Sequence, residues 1–136
     1  MKTNELQVNQ LSPKAYEWYL AYLSTMDKLD IDAYAAYLAE DCEMQFGNQA
    51  IVKGKQNVVE SLKAFWATID GDEHNLQNIF GDDNNFVLEA LNTFTRKDGT
   101  TVTIPAVAIT ERNLEGFVTS VRLFMDVSPL FASDNS

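Results

Sequence analysis

The chain predicts an α+β domain, a curved antiparallel sheet wrapped over helices drawn from its first half. Three observations lead there. Up to about residue 70, apolar side chains recur at three- and four-residue spacing. From residue 74 onward the chain runs in segments rich in Val, Ile, Thr and Phe. The links between those segments are turns so short that they demand antiparallel hairpins. Helices first and a strand meander after place the helices on one face of the sheet.

Ser12-Pro13 opens the first helix, with serine as N-cap and proline at the first helical position. Ala15, Trp18, Tyr19, Tyr22, Leu23 and Met26 then form one apolar stripe to about Lys28. Asp30 or Asp32 caps a second, shorter helix through Tyr34, Tyr37 and Leu38. Cys42 to Gly47 reads as a short strand closed by the turn signal Gly47-Asn48. After Gly54 a third helix carries Val58, Val59, Leu62, Phe65, Trp66 and Ile69, ending near Asp70-Gly71.

Residues 74–81, 85–96, 101–112 and 117–127 read as strands. Asp82-Asp83-Asn84, Lys97-Asp98-Gly99 and Asn113-Leu114-Glu115-Gly116 are their turns. Pro105 cannot donate to a ladder, so it marks a bulge or an edge position. A sheet bent over the first helix leaves a pocket lined by both. The domain is expected over residues 12–131, with polar tails at 1–11 and 132–136.

A length of 136 residues suits one domain with a real core. Twenty acidic against ten basic residues give a net charge of −10. Such a surface repels phosphate backbones and anionic lipid, so neither nucleic acid nor membrane is an expected partner. Cys42 stands alone, which excludes an intrachain disulfide and a cysteine-rich metal site. With a single histidine besides, no metal-ligand cluster is expected, and no cofactor: there is no glycine-rich phosphate loop and no Gly-x-Ser-x-Gly. The first residues lack the apolar stretch of a signal peptide, and no window is long and apolar enough to span a bilayer, so the expected location is cytoplasmic.

The last strand carries the chief functional candidate. Val118, Ser120, Arg122, Phe124 and Asp126 share one face; Thr119, Val121, Leu123, Met125 and Val127 share the other. A carboxylate and a guanidinium in so apolar a strand must reach water, each other or a ligand. Asp126 is therefore either a general acid/base in a dry pocket or a rim carboxylate paired with Arg122. The apolar stripe beside it, taken as the outer face, needs cover, and a homodimer through that face would supply it.

Several runs resemble the nuclear transport factor 2-like superfamily, and within it the SnoaL-like, polyketide cyclase-like domains. The run from Asp30 to Asp41 resembles that family's second helix and its exit into the first strand. Val52-Lys53-Gly54 and the following residues to Glu60 resemble the entry to its third helix, and Arg122-Leu123-Phe124-Met125-Asp126 with the following Pro129-Leu130 resembles its closing strand. The resemblance implies a cone-shaped fold with an internal pocket for a small hydrophobic molecule. It spans isomerases, cyclases, dehydratases, hydrolases and non-catalytic binders. Aligned with ketosteroid isomerases, the oxyanion-binding tyrosine falls near Tyr22, but the catalytic base falls at Gln45 or Phe46 and the second acid near Val107, which argues against steroid isomerase chemistry. His74 falls where scytalone-dehydratase-like members place a pocket histidine.

The expected function is thus binding of a small, hydrophobic, carbonyl-bearing molecule, with isomerisation, cyclisation or hydrolysis through Asp126 as acid/base. Tyr22 and His74 complete the expected catalytic set. Gln45, Arg122, Trp18, Trp66 and Phe124 are the expected substrate-binding residues. Each has a plain structural reading too: Tyr22, Trp18, Trp66 and Phe124 as core, His74 as a solvated residue at a strand start, Gln45 as outward-facing. The rival function is a non-catalytic ligand-binding or protein-association domain.

Overall fold

The computed structural model describes residues 1–132; beyond Ala132 the expected polar tail lies outside the described residues. The first helix, α1 (Pro13–Asp27), begins as its capping signal requires. Ser12 Oγ accepts from the Ala15 N–H at 3.2 Å while itself donating to Asp83 at 2.7 Å, so the cap ties α1 to the sheet. Tyr19, Tyr22 and Leu23 on its apolar stripe are buried. Asp30 caps α2 (Ile31–Ala35), which stops short of Leu38 because that residue already belongs to a strand.

Two strands of two residues each, Val8–Asn9 and Val52–Lys53, form the edges of the sheet. β1 is Val8–Asn9, β2 is Leu38–Phe46 and β3 is Val52–Lys53, followed by α3 (Lys55–Trp66). The meander is β4 (Ile69–Asp82), β5 (Asn85–Arg96), β6 (Thr101–Arg112) and β7 (Val118–Phe124), closed by α4 (Ser128–Phe131). β5 and β6 span the residues the pattern predicts. β4 starts five residues earlier than expected, since Ile69 already pairs with Arg96 and Gly71 with Thr95.

One seven-stranded sheet results, in the order β1-β4-β5-β6-β7-β2-β3. The meander is antiparallel, but β2 joins β7 and β1 joins β4 in parallel, so the sheet is mixed at its flanks. The segment expected as an N-terminal tail is instead docked. Lys2 N–H donates to the His74 carbonyl at 2.8 Å, and Leu76 N–H to the Lys2 carbonyl at 3.0 Å. Pro105 faces Leu91 of β5, while β7 pairs with β6 only as far as Val107. At Pro105, β6 is therefore an edge on its other side, where a missing N–H breaks no ladder bond.

Bulges shape the curl. β4 shifts register between Ile69 and Gly71 and again between Leu76 and Asn78, and β7 shifts beside Arg112. Each adds twist and bends the strand over the helices. The concave face carries Phe86, Leu88, Ala90 and Phe94 from β5 and Ile104 from β6, in one buried cluster with Tyr19, Leu23, Tyr34 and Trp66. Burying each of the larger of these contributes about 1.5–3 kcal/mol. No helix among the described residues is long and apolar enough to cross a membrane.

Candidate active site

The inner face of the sheet, α1 and α3 enclose a cavity of about 300 Å³. Most of its wall is apolar, with Leu88 and Phe94 from β5, Val121 and Leu123 from β7, and Phe65 and Trp66 from α3. Its charged lining residues, among those described, are Asp72 and His74. Both sit on the inner face of β4, because alternate strand residues share a side and Leu76 beyond them is fully buried.

Asp27, the last residue of α1, completes the group. Its position at a helix C-terminus disfavours a carboxylate, and cationic partners offset this. Asp27 Oδ1 lies 2.6 Å from His74 Nδ1 and accepts the His74 backbone N–H at 3.2 Å. Asp27 Oδ2 lies 2.9 Å from the Met1 α-amino nitrogen. With Nδ1 held by Asp27, Nε2 is the ring atom left for other chemistry. Asp72 Oδ1 is buried and has no hydrogen-bond partner.

The three groups titrate as a coupled set. Burial raises Asp72 to about 6, with the His74 charge pulling the other way. For His74, burial opposes the imidazolium and is the largest single influence. The Asp27 hydrogen bond and the Asp72 and Asp27 charges together outweigh it, so the histidine is raised. Asp27 is lowered, because its bonds and charge contacts with His74 and Met1 overcome the effect of its own burial. Near neutral pH the set therefore holds a largely ionised Asp72 beside a His74 whose cationic form is favoured by Asp27 and Asp72. That is a general base and a general acid side by side.

The expectation of no metal-ligand cluster is corrected by the fold. Ligand atoms of Asp27, Asp72 and His74 lie within 4.8 Å of one another. The short Asp27–His74 bond engages an atom of each, so the arrangement as built suits proton transfer, and a cation binding those atoms would have to displace that bond. Elsewhere in the wall, Tyr22 donates its hydroxyl to that of Tyr34 at 3.3 Å. Burial pushes Tyr34 up to about 12 and raises Tyr22 well above its ordinary value, so both phenols stay protonated.

The sequence pattern of the SnoaL-like domain family matches residues 19–121. The chain belongs to the SnoaL-like domain family. No curated protein matches it. Among solved structures, this SnoaL-like domain is similar to an LEH-like epoxide hydrolase of M. tuberculosis, at 19% identity and a TM-score of 0.71 over 87% of this chain and 86% of that one. A candidate SnoaL-like polyketide cyclase from Shewanella denitrificans OS-217 gives 14% identity and a TM-score of 0.75 over 88% and 96%. A protein with a ketosteroid isomerase-like fold from Catenulispora acidiphila DSM 44928, in complex with trimethylamine, gives 15% and 0.71 over 82% and 87%. At such identities the likeness is one of fold.

Against that fold, the predicted residues divide. Tyr22, His74 and Trp66 line the cavity. Asp126 does not. It is exposed just beyond β7, and its Oδ1 accepts the Ser128 N–H at 2.9 Å, starting α4 and holding its carboxyl below the ordinary range. Arg122 and Phe124 are exposed on the same outward face. Gln45 lies outside the cavity, turned away between the inward Met44 and Phe46, its amide donating to the Gln49 carbonyl at 3.0 Å. Trp18 lies outside too, stacked on Tyr22 with the Arg112 guanidinium 4.5 Å from its ring centre.

The reason is a reversal of faces. Val121, Leu123, Met125 and Val127, expected on an outer dimer face, line the cavity. The need for cover that suggested a homodimer through this stripe is met from inside. Asp27, Asp72, Asn92 and Tyr34 are among the cavity-associated polar residues that the sequence pattern does not single out. Asp27 and His74 stand 47 positions apart, which hides them from any motif. Asp72 is findable by carrying the alternation of Leu76 and His74 two residues back, through what reads as a turn.

Proposed function

We propose that the protein is an acid–base enzyme for a small hydrophobic molecule held in the cavity, with Asp72 as general base and His74, oriented by Asp27, as general acid. One observation carries this reading: a buried carboxyl with an unpartnered oxygen, raised to about 6, stands beside a braced histidine in a mostly apolar wall. Isomerisation, cyclisation and hydrolysis all need a proton taken at one atom and given at another, which this pair can do. The apolar wall excludes competing water and strengthens the charges. Asp126 has no part in this mechanism.

The test is a pH–rate profile over a panel of hydrophobic epoxides, enolisable ketones and aldol-type cyclisation substrates, with a carboxyl-detected NMR titration of Asp72. Turnover should rise as Asp72 ionises near about pH 6 and fall as His74 deprotonates at higher pH. Asp72→Asn should lower it by about a hundredfold or more. Full turnover in Asp72→Asn, or an Asp72 that titrates near 4 like an exposed aspartate, would refute the assignment and leave a ligand-binding domain.

A further inference from the structure

Of the polar residues in this wall that the acid–base chemistry does not use, Asn92 is the one, among the described residues, with a buried side-chain atom that has no hydrogen-bond partner. It is 4% exposed, and its Oδ1 is buried without a hydrogen-bond partner. β5 alternates strictly, with Phe86, Leu88, Ala90, Asn92 and Phe94 all buried on the inner face. Asn92 interrupts an apolar row there. It stands directly across the β4–β5 ladder from His74, as Phe94 stands across from Asp72. Opposite residues in an antiparallel pair project to the same face, so the amide stands beside the acid–base pair in the same cavity.

An unpaired amide oxygen in an apolar wall is costly, where a leucine or methionine would cost nothing of the kind. The neighbouring polar groups leave it unserved. The Tyr22 hydroxyl donates to Tyr34, and His74 Nδ1 is held by Asp27. No donor among the described residues reaches the Asn92 oxygen, the His74 Nε2 included, and what enters the cavity can supply one.

We propose that Asn92 is a specificity-determining residue that accepts a hydrogen bond from a ligand hydroxyl, so that the site takes compact apolar molecules carrying an alcohol or phenol next to the reacting carbon. This rests on the cavity being the substrate site, and it adds the substrate class. A ligand without the donor leaves the Asn92 oxygen desolvated and unpaired, which is the strongest way a pocket rejects a near-isostere.

Thymol, its methyl ether and para-cymene share one apolar frame and differ in the donor, so they are suitable probes for calorimetric titration of the full chain. Thymol should bind the wild type about tenfold more tightly than either analogue. Asn92→Leu should bring that ratio to about one while para-cymene binds at least as well as before. The variant should melt at or above the wild type, since it removes an unpaired buried group. If leucine prevents folding, Asn92→Ala makes the same comparison without added bulk. Asp72→Asn, which disables the proposed chemistry, should keep the thymol preference. A wild type with no preference for thymol, or a preference that survives in Asn92→Leu, overturns the role of Asn92 and leaves the acid–base reading standing. Failure of all three probes to bind overturns the cavity as ligand site, and this proposal with it.

Discussion

Replacing Asp72 by asparagine should stabilise the protein, and only where the carboxyl would be ionised. Burial raises Asp72 from 3.8 to about 6 in the fold. Between those values the folded chain holds a proton that the unfolded chain has released. Stability therefore falls as pH rises through that window and stays reduced above it. A shift of about two units corresponds to about 3 kcal/mol at neutral pH, and about 2 kcal/mol of it develops between about pH 4.5 and 7. Asparagine has nearly the same shape and no charge to desolvate. Urea unfolding of both proteins at these two pH values, followed by the fluorescence of Trp18 and Trp66, isolates the effect because other titrations largely cancel in the difference. The variant should gain most at neutral pH, with its midpoint raised by about 1.5 M there and about 0.5 M at about pH 4.5, at an m-value near 2 kcal/mol/M. Equal effects at both pH values, or a loss at neutral pH, would show that Asp72 is not strained in the folded state.

Four further outcomes follow from the same contacts. Asp27→Asn should lower the His74 titration point, read by ring-carbon NMR, because burial, the largest single influence on this histidine, would lose its main opponent; an unmoved midpoint would remove Asp27 from the set. Asp126→Ala should leave ligand affinity and turnover unchanged, since the side chain only caps the Ser128 N–H on the outer surface. Ser12→Ala should cost about 1 kcal/mol in thermal unfolding, through loss of the Ala15 cap bond and the tie to Asp83. Gly81→Ala should be more damaging, roughly 2 kcal/mol or more, because φ is 121° and an added Cβ would sit 2.3 Å from the Asn85 carbonyl oxygen.

The helices and the meander are legible because their signals are local. Ser12-Pro13, Gly54 and the Asp and Gly turns fix element ends, and β5 and β6 alternate cleanly. The flanking strands are not, because nothing within Val8–Asn9 or Leu38–Phe46 says which strand each will join. The site is less legible still. In β7, with one polar-bearing and one apolar face, the polar residues look functional and the apolar ones look like a surface wanting cover. Ordinary burial decides otherwise: Val121, Leu123 and Met125 go inward because they are apolar, and Arg122 and Asp126 go to water. The bulge beside Arg112 adds to the difficulty, since Val118 is fully buried and yet three positions from the inward Val121.

Where a polar residue occupies an inward position of an otherwise apolar row, local pattern and burial disagree, and the disagreement is informative. Asp72 and Asn92 both meet that condition, on adjacent strands, with an unpartnered oxygen each. Glu89 does not: it lies on the outer face, where its carboxylate accepts from Asn78 at 2.7 Å. A stability optimum alone would place apolar side chains at 72 and 92, as it does at Leu88 and Phe94. The chain instead carries a carboxyl that is hard to ionise and an amide without a donor, both beside His74. Those two deficits are relieved together only by something that enters the cavity, which makes the pair Asp72 and Asn92, rather than the exposed Asp126, the place where the fold's stability is traded for function.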